Sequence, residues 1–421
     1  MQHPEAARLS PRQWAVILLI AAVQFINILD FVMVMPMGPD FAKALAIPES
    51  HLGYVAGSYT AAACLAGLLG AFFLDRFDRR QALAVALGGL VFGTASGGLA
   101  TSLESLLLAR VVAGAFGGPA TSLSFSIIAD AIPASHRGRA MGTVMGAFSV
   151  ASVLGVPAGL LMAEHFTWRA PFFTVAALGV VVGVVAIALL PPMRGHLDRP
   201  HATVTARELV SRPLVQLSYL MTAVVMMAGF IVIPNIAAYV QLNLGLPRES
   251  LKHAYGVGGV ASFFATQVGG RLVDRFGSFR VGTAGTALVV GTVFTAFYLQ
   301  WSQVPPVAVV LGFAVFMLAN GLRNVSYNTL TTRVPEPEVR ARFQSLQSAV
   351  QHGSAALAAV FSAQLLATAP GGVLVGMPRV AVVSMSLSLL IPVILRVVER
   401  RVGAGAPEVS APLLAPPAEP R

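Results

Sequence analysis

The sequence predicts an all-α polytopic membrane protein with twelve spanning helices in two similar halves, and three observations support this fold class. Hydrophobic residues make up 56% of the 421 residues and charged residues only 11%, with a mean hydropathy of +0.75; a soluble domain carries about 25% charged residues. Apolar runs of about 18 or more residues, long enough to cross a bilayer, recur along nearly the whole chain. Short motifs of the first half also return in the second half.

The apolar runs predict helices because a backbone in hydrocarbon must satisfy its own hydrogen bonds. The first run follows a short polar leader with no clear cleavage site of small residues, so we expect it to be retained as a helix. The predicted spans lie at roughly 13–36, 52–74, 81–100, 103–128, 140–163, 168–190, 214–239, 253–273, 281–300, 305–330, 342–367 and 373–396.

The basic residues predict the orientation in the membrane. Most of the 28 Lys and Arg residues fall in segments on the side of the N-terminus, and basic loops stay cytoplasmic. We therefore expect both termini to be cytoplasmic and the protein to lie in the inner (cytoplasmic) membrane of a cell. The net charge of +10 is explained by this asymmetry, and we expect no nucleic-acid partner.

Several classes of chemistry are excluded by single residues. Cys64 is the only cysteine, so the chain has no disulfide framework and no cysteine-based metal or haem motif. A phosphate-binding loop needs Gly-Lys, but Lys43 and Lys252 follow Ala42 and Leu251. We therefore expect no ATP hydrolysis, no enzyme activity, no cofactor and no metal, and any uphill transport must draw on an ion gradient.

An internal repeat divides the chain into two parallel halves. Asp-Arg-Phe at 75–77 recurs at 274–276, and the pair of arginines at 137 and 139 recurs at 340 and 342. Since both copies start on the same side of the membrane, the halves are suited to alternating access around a central site. The predicted domains are an N-terminal six-helix bundle at 1–192, a linker at 193–212, a C-terminal six-helix bundle at 213–397 and a disordered cytoplasmic tail at 398–421.

Four motifs carry a resemblance to a known family. AFFLDRFDRR at 71–80 resembles the loop between helices two and three of the major facilitator superfamily, and GRLVDRFGSFR at 270–280 resembles its second copy. LARVVAG at 108–114 resembles the fourth-helix motif of the proton-coupled members. GVPAG at 155–159 resembles the fifth-helix region of the drug and sugar efflux branch. The resemblance implies a twelve-helix transporter of the drug:proton antiporter branch.

The chain departs from this pattern at two places. Ala71 and Asp78 stand where the family usually has glycine. The fifth helix has Gly-Val-Pro at 155–157 in place of Gly-Pro, which weakens this motif as a marker of antiport.

Asp30 is the most informative single residue, because a carboxylate within a span is costly and by default marks a functional site. At 1.5 Å per residue, Asp30 lies roughly 9 Å, and Arg110 roughly 11 Å, from the outer ends of helices one and four. Both helices line the cavity in the family that the chain resembles. We predict that Asp30 exchanges the coupling proton and that Arg110 tunes the proton affinity of Asp30. The alternative is a static structural ion pair.

Charges at the cytoplasmic helix ends predict a conformational latch. Asp75 follows helix two, and an anion there complements a helix N-terminus; the resemblance implies that this terminus belongs to helix eleven. The mirror contact joins Asp274 to the start of helix five. The predicted latch residues are Asp75, Arg76, Arg79, Arg80, Arg137, Arg139, Asp274, Arg275, Arg340 and Arg342. Alternatively, these charges only set the topology.

Polar residues inside the spans are candidates for the substrate cavity. Arg323 either lines the inner half of the cavity or marks an ordinary polar helix end, and His352 is a weak second candidate for proton coupling. Each residue alone more often makes an interhelical hydrogen bond than a substrate contact. The candidate set is Asn27, Tyr59, Asn235, Tyr239, Gln267, Asn320, Arg323, Asn324, Gln347 and Gln351.

The sequence favours a proton-coupled exporter of a small amphipathic or cationic organic molecule. We expect a monomer in the lipid bilayer, with a small-molecule substrate and the proton as coupling ion. One alternative is an uptake symporter or facilitator for a polar metabolite such as a sugar. Another, from a different class, is a non-transporting membrane assembly factor or sensor.

Overall fold

The computed structural model describes residues 9–133, 136–194, 206–299, 304–336 and 339–404. The side chains of a few residues inside these ranges, among them Asp75 and Arg139, lie outside that description. The described chain forms twelve long helices. Nine are continuous: α1 (Pro11–Val34), α2 (Leu52–Phe73), α3 (Arg79–Gly98), α4 (Leu103–Ala131), α6 (Ala170–Leu189), α8 (Arg248–Phe276), α10 (Pro306–Arg333), α11 (Arg340–Leu365) and α12 (Met377–Ala404).

The other three long helices change their winding along their length. Helix α5 consists of Arg137–Met145, Ala147–Val150, the π-helical Ala151–Gly155 and Val156–His165. Helix α7 consists of Pro213–Phe230, the 3₁₀ turn Ile233–Asn235, Ile236–Ala238 and the π-helical Tyr239–Asn243. Helix α9 runs over Ser278–Val293 and ends in the π-helical Phe294–Tyr298. Since Pro157 has no N–H to donate, a π-helical turn directly before it is the expected accommodation.

Short elements join the long helices. A helix at Gly38–Leu45 lies between α1 and α2, and another at Ala206–Ser211 precedes α7. Between α11 and α12, strands β1 (Ala367–Thr368) and β2 (Leu374–Val375) pair antiparallel. Single 3₁₀ turns occur at Glu49–His51, Leu74–Arg76 and Pro370–Gly372.

All twelve predicted spans are present as helices. Ten of the described helices are long and apolar enough to cross a membrane. Helices α8 and α11 are also long enough, at 29 and 26 residues, but they are more polar. The end of α12 was predicted too early: the helix continues to Ala404, so residues 398–404 are helical and not part of a disordered tail. Residues 405–421 of that tail lie outside the described residues.

The helices form two six-helix bundles, α1–α6 and α7–α12. Helices α8 and α9 pack on α10, and α2 and α3 pack on α4. The bundles meet through α2 against α11 and through α5 against α8. The first contact is very close: a Cβ on Gly53 would lie 2.2 Å from the carbonyl oxygen of Ala359. Because α8 and α11 lie at this interface between the bundles, they can carry polar residues that lipid would not tolerate.

Polar contacts join the two bundles on one side of the membrane. We call the side where α1 begins and α12 ends the terminal face, and the other side the opposite face. At the opposite face Arg248 of α8 forms an ion pair of 2.5 Å with Asp40, and Lys252 forms another with Glu164 of α5. The backbone N–H of Ser50 also donates to Thr368 Oγ1 at 3.0 Å. These contacts hold the opposite face closed.

Candidate functional site

Asp30 and Arg110 form an ion pair inside the N-terminal bundle. Arg110 Nη1 donates to both carboxylate oxygens of Asp30, at 3.0 Å and 2.9 Å. The hydroxyl of Thr94 on α3 donates to Asp30 Oδ1 at 2.8 Å. Asp30 and Arg110 are only 0% and 1% exposed, so water does not screen this pair in the observed conformation. Three helices, α1, α3 and α4, therefore hold one carboxylate.

A second set of contacts extends this cluster to α2. The guanidinium carbon of Arg110 lies 4.6 Å from the centre of the Tyr59 ring, within the range of a cation–π interaction. Tyr59 Oη donates to Asn27 Oδ1 at 2.6 Å. Asn27 Nδ2 in turn donates to the carbonyl of Gly117 at 2.9 Å and to Thr121 Oγ1 at 2.7 Å. The predicted residues Asp30, Arg110, Tyr59 and Asn27 thus belong to one buried network.

Glycines on α4 allow this network to assemble. A Cβ on Gly114 would lie 2.1 Å from the Tyr59 carbonyl oxygen, and a Cβ on Gly117 would lie 2.3 Å from Tyr59 Oη. Both distances are shorter than any van der Waals contact, so α2 packs against α4 at this depth only because these positions carry no side chain. Tyr59 is thereby held between Arg110 and Asn27.

The geometry defines what the pair can do chemically. A buried carboxylate keeps its charge only while a cation or hydrogen-bond donors compensate it. Arg110 Nη1 and Thr94 do so here, and Arg110 Nε has no hydrogen-bond partner among the described atoms. The ion pair and the Thr94 hydrogen bond therefore hold α1, α3 and α4 together at this depth.

A second polar cluster lies in the C-terminal bundle around Arg323. The side chain is 2% exposed, and its Nη2 donates to Asn320 Oδ1 at 2.6 Å. One turn further along α10, Tyr327 is buried, and its hydroxyl accepts a hydrogen bond from Gln351 Nε2 at 3.0 Å. Gln347 Nε2 donates to Thr331 Oγ1 at 3.2 Å. Polar residues of α10 and α11 therefore face each other.

The remaining cavity candidates lie elsewhere or contact neither cluster. Asn235 is buried and donates to Ser362 Oγ at 2.7 Å, and Tyr239 packs edge-on against Phe297. Gln267 is exposed on α8. Asn324 and His352 are half-buried. Asn235 and Tyr239 thus serve helix packing within the C-terminal bundle.

The predicted latch is only partly described. The side chains of Asp75 and Arg139 lie outside the described residues. Asp274 is exposed, and no described side chain forms an ion pair with it. Because Arg139 at the start of α5 is one of the undescribed side chains, the contact of Asp274 with this helix is not tested, and the latch remains a prediction.

The arginines of the latch set have varied surroundings. Arg79 Nε lies 3.4 Å from Asp130 Oδ2, Arg137 Nε donates to the Ile132 carbonyl at 3.0 Å, and Arg275 lies 5.2 Å from the Phe276 ring centre. Of the other members with described side chains, Arg76 and Arg340 are exposed, and Arg80 and Arg342 are half-buried.

Asp78, which departs from the family pattern, has a clear structural role. Its carboxylate accepts from the backbone N–H of Arg80, at 2.9 Å, and caps α3. It also accepts from the backbone N–H of Met193 at 3.1 Å and pairs with Arg194 at 3.2 Å. Burial alone would raise the pKa of Asp78, but these donors together lower it below the usual value. Asp78 thus ties the start of the linker to α3.

Several contributors were missed in the sequence. Thr94, Thr121 and Tyr327 are single hydroxyls within spans, and such residues often bond to their own helix, so nothing distinguished them. Tyr327 follows Arg323 by four residues, a spacing that places both on one helix face. Apart from the charges of Arg248 and Lys252, nothing in the sequence indicated their ion pairs with the other bundle. No group of His, Cys, Asp and Glu side chains suited to a metal occurs in the described part of the chain.

Comparison with curated proteins gives distant relatives. The chain is 23% identical over 280 residues to an uncharacterized MFS-type transporter, YceJ, of Bacillus subtilis (strain 168), covering 66% of this chain and 71% of that protein. It is 27% identical over 255 residues to a chloramphenicol resistance protein of Streptomyces lividans, covering 60% of this chain and 65% of the relative. Part of the chain also resembles a tetracenomycin C resistance and export protein of Streptomyces glaucescens, with 24% identity over 46% of this chain and 36% of that protein.

Solved structures share the fold. A D-xylose–proton symporter superposes with a TM-score of 0.73 at 17% identity, over 91% of this chain and 97% of that one. A bacterial homolog of the human lysosomal transporter Spinster, in an inward-facing and unoccupied conformation, superposes with a TM-score of 0.70 at 17% identity, over 94% of this chain and 99% of that one. The family model of the Major Facilitator Superfamily matches residues 20–359. The chain therefore belongs to the Major Facilitator Superfamily, whose members are transporters and not enzymes.

Proposed function

We propose that the protein exports a small amphipathic organic molecule in exchange for protons, by alternating access between its two bundles. The observation that carries this proposal is the buried ion pair of Asp30 and Arg110. Its carboxylate is the only acidic side chain in the interior of a described long helix, and a charged group there is costly unless it serves a function.

The exchange cycle follows from the contacts of Asp30. While Arg110 and Thr94 hold the carboxylate, it stays ionised and carries no proton. When α1 and α4 shift within the N-terminal bundle and the pair parts, burial without a counter-charge favours the protonated form. Return to the paired state releases the proton on the other side of the membrane. Substrate binding drives the cycle if it favours one of these two states.

The chemistry of the cargo is inferred from the relatives and from the charge of the site. Relatives are named for chloramphenicol resistance and for tetracenomycin C export, which supports an organic cargo of drug-like size. In the observed conformation Asp30 is fully engaged by Arg110, so it offers no free counter-charge to a cation. The geometry therefore favours an amphipathic cargo, and a cationic one requires that the pair has parted.

The membrane arrangement is part of the proposal. The basic residues favour a cytoplasmic location for the terminal face, in the cytoplasmic membrane of a bacterial cell. The closed opposite face then faces outward. A single chain provides both bundles and both polar clusters, which supports a monomer as the working unit.

An uptake symporter is the second candidate function. The shared fold with a D-xylose–proton symporter supports this alternative, because the same proton chemistry at Asp30 works in either direction. A non-transporting sensor or assembly factor predicts instead that Asp30 and Arg110 are dispensable.

Proteoliposomes distinguish these functions. Purified protein is reconstituted with an acidic lumen, and lumenal pH is followed while hydrophobic drugs, sugars and nucleosides are added in turn. We expect at least one drug-like compound to release lumenal protons, and the same compound to accumulate in the lumen. Proton movement in the same direction as a sugar indicates the symporter. No compound-dependent flux of protons or solutes, in protein that retains its fold, contradicts a transport function.

A further inference from the structure

The C-terminal bundle contains a buried cation without a counter-ion. Arg323 is 2% exposed, yet among the described residues neither its Nε nor its Nη1 has a hydrogen-bond partner. Its one hydrogen bond, from Nη2, goes to the neutral amide of Asn320. A buried guanidinium normally carries a carboxylate or several acceptors, because removing its charge from water is costly. The two unpartnered nitrogens therefore require an explanation.

In the described part of the C-terminal bundle, no carboxylate lies in a helix interior. Glu249 and Asp274 stand within three residues of the two ends of α8, and Glu399 stands near the end of α12. The Glu399 carboxylate already accepts the backbone N–H of Phe279 at 3.1 Å. In the N-terminal bundle, Arg110 neutralises Asp30. The described spans thus enclose one uncompensated positive charge at Arg323.

The surroundings of Arg323 resemble a binding site more than a packed helix end. A Cβ on Gly229 of α7 would lie 3.5 Å from Arg323 Nη2, so the guanidinium lies beside the point where the first segment of α7 ends at Phe230. Transporters place binding sites at such interruptions of a spanning helix. The partial negative charge of a helix C-terminus offsets part of the arginine charge, but it supplies no counter-ion.

Neutral polar side chains lie one turn from Arg323. Tyr327 follows it on the same face of α10, and Gln351 of α11 donates to the Tyr327 hydroxyl. These groups add a polar surface beside the guanidinium but no negative charge. The donors available to an anionic group are therefore those of Arg323 itself.

We propose that Arg323 binds an anionic group of the ligand, a carboxylate on an amphipathic organic molecule, through its free Nε or Nη1. Each of these nitrogens shares an edge of the planar guanidinium with Nη2, and not with the other, so a carboxylate binds at one such edge with one oxygen on the free nitrogen. The inference rests on the proposed function only in taking this ligand to be the cargo. An inorganic anion such as chloride carries the same charge and is the alternative occupant of the site.

A binding experiment in detergent tests this without any gradient. The melting temperature of the purified protein is measured in a low-ionic-strength HEPES buffer with added benzoate, benzamide or sodium chloride. We expect benzoate to raise the melting temperature of the wild type, and benzamide, which has the same ring without the charge, to have little effect. Stabilisation by chloride equal to that by benzoate identifies an inorganic anion as the occupant.

Two variants locate the effect. In Arg323→Gln, the apparent affinity for benzoate should fall by at least about tenfold, as expected for the loss of hydrogen bonds to a charged group. Arg333→Gln, at the exposed end of the same helix, should respond like the wild type. If Arg323→Gln does not fold, Arg323→Lys keeps the charge and should retain a weaker response.

The proposal is overturned if no anion stabilises the wild type, or if Arg323→Gln responds like the wild type. Either outcome leaves the proposed function intact, because proton-coupled export of an uncharged compound does not require an anion site. Conversely, benzoate binding at Arg323 by a protein that moves no protons supports the site and contradicts the exchange mechanism.

Discussion

Gly117 of α4 and Tyr59 of α2 approach so closely that a single added methyl group does not fit between them. A Cβ at position 117 would lie 2.3 Å from Tyr59 Oη and 2.7 Å from Asn27 Oδ1. The hydrogen bond between Tyr59 and Asn27, and the position of the Tyr59 ring beneath Arg110, therefore depend on this glycine.

Gly117→Ala should disrupt this network. The alanine forces Tyr59 and Asn27 apart, and such overpacking costs about 1–3 kcal/mol. We expect a lower melting temperature and loss of coupled transport. Gly88→Ala is the matched control, because a Cβ at Gly88 on α3 has nothing within 4 Å and should leave stability unchanged or slightly raised. Equal effects of the two substitutions contradict the role of Gly117.

Thr94 should matter through its hydroxyl. Thr94→Val keeps the shape and removes the hydrogen bond to Asp30, and a bond to a charged group contributes about 1.5–3 kcal/mol. We expect coupled transport to fall by roughly tenfold. Thr94→Ser keeps the hydroxyl and should retain most of the activity. A Thr94→Val variant with wild-type proton-coupled flux shows that the hydroxyl serves only packing.

Asp40 should make closure of the opposite face sensitive to pH. Burial raises the pKa of Asp40 above its usual value, although the ion pair with Arg248 lowers it and the nearby Glu164 adds to the rise. In an open state the solvated carboxyl has a pKa of about 3.9, so the closed state binds the proton more tightly. Burial in the closed state therefore costs the charged carboxyl more than the ion pair with Arg248 offsets, and protonation favours closure. This contribution is fully present below about pH 3.9 and is lost as pH rises through the raised closed-state pKa.

Cys64 offers a direct measurement of that closure. Its thiol lies on α2 at the bundle interface, where a Cβ on Gly353 of α11 would be 3.0 Å from Cys64 Sγ. We expect the ratio of maleimide labelling rates in the wild type and in Asp40→Asn to change on mild acidification, because closure changes the packing of α2 on α11. Dividing the wild-type labelling rate by the Asp40→Asn rate removes the pH dependence of the Cys64 thiol, because both proteins carry the same thiol. A ratio that is constant with pH contradicts the assignment to Asp40.

Asp78 should stabilise the junction between α3 and the linker. Asp78→Ala removes the cap of α3, which costs about 0.5–2 kcal/mol, together with the bonds to Met193 and Arg194. Because the folded pKa is lowered, this contribution is present above the usual Asp pKa and is lost as pH falls through the lowered value. Asp78→Asn keeps capping ability and should lose less stability in thermal unfolding at pH 7. An Asp78→Ala variant as stable as the wild type contradicts this role.

Most of the fold was predictable because hydrophobic length identifies ten of the spanning helices; the more polar α8 and α11 follow from the repeat of the first half in the second. The depths of Asp30 and Arg110 were also predictable, since helical rise fixes how far each residue lies from a helix end. Their contact in the structure follows those depths. The end of α12 was not predictable, because Arg396, Glu399, Arg400 and Arg401 are polar and yet continue the helix as it leaves the apolar layer.

The main limit on predicting the site from the sequence was the rotation of each helix about its axis, because this rotation determines which neighbours a side chain faces. Asn27 and Asn235 are both single amides in apolar surroundings, but one joins the Asp30 network and the other bonds to Ser362. Sequence spacing does not determine which neighbour a lone polar residue faces. The cross-bundle pair of Asp40 and Arg248 is separated by 208 positions, and no local pattern links such residues.

The most direct test of proton coupling at Asp30 compares Asp30→Asn with the wild type in proteoliposomes. Two fluxes of the same compound are measured: proton release from an acidic lumen, and exchange of labelled for unlabelled compound without a pH gradient. The asparagine keeps the shape and cannot exchange a proton, so we predict that proton release is lost while exchange remains. Proton release at the wild-type rate by Asp30→Asn would contradict the account, because the coupling proton would then be carried elsewhere.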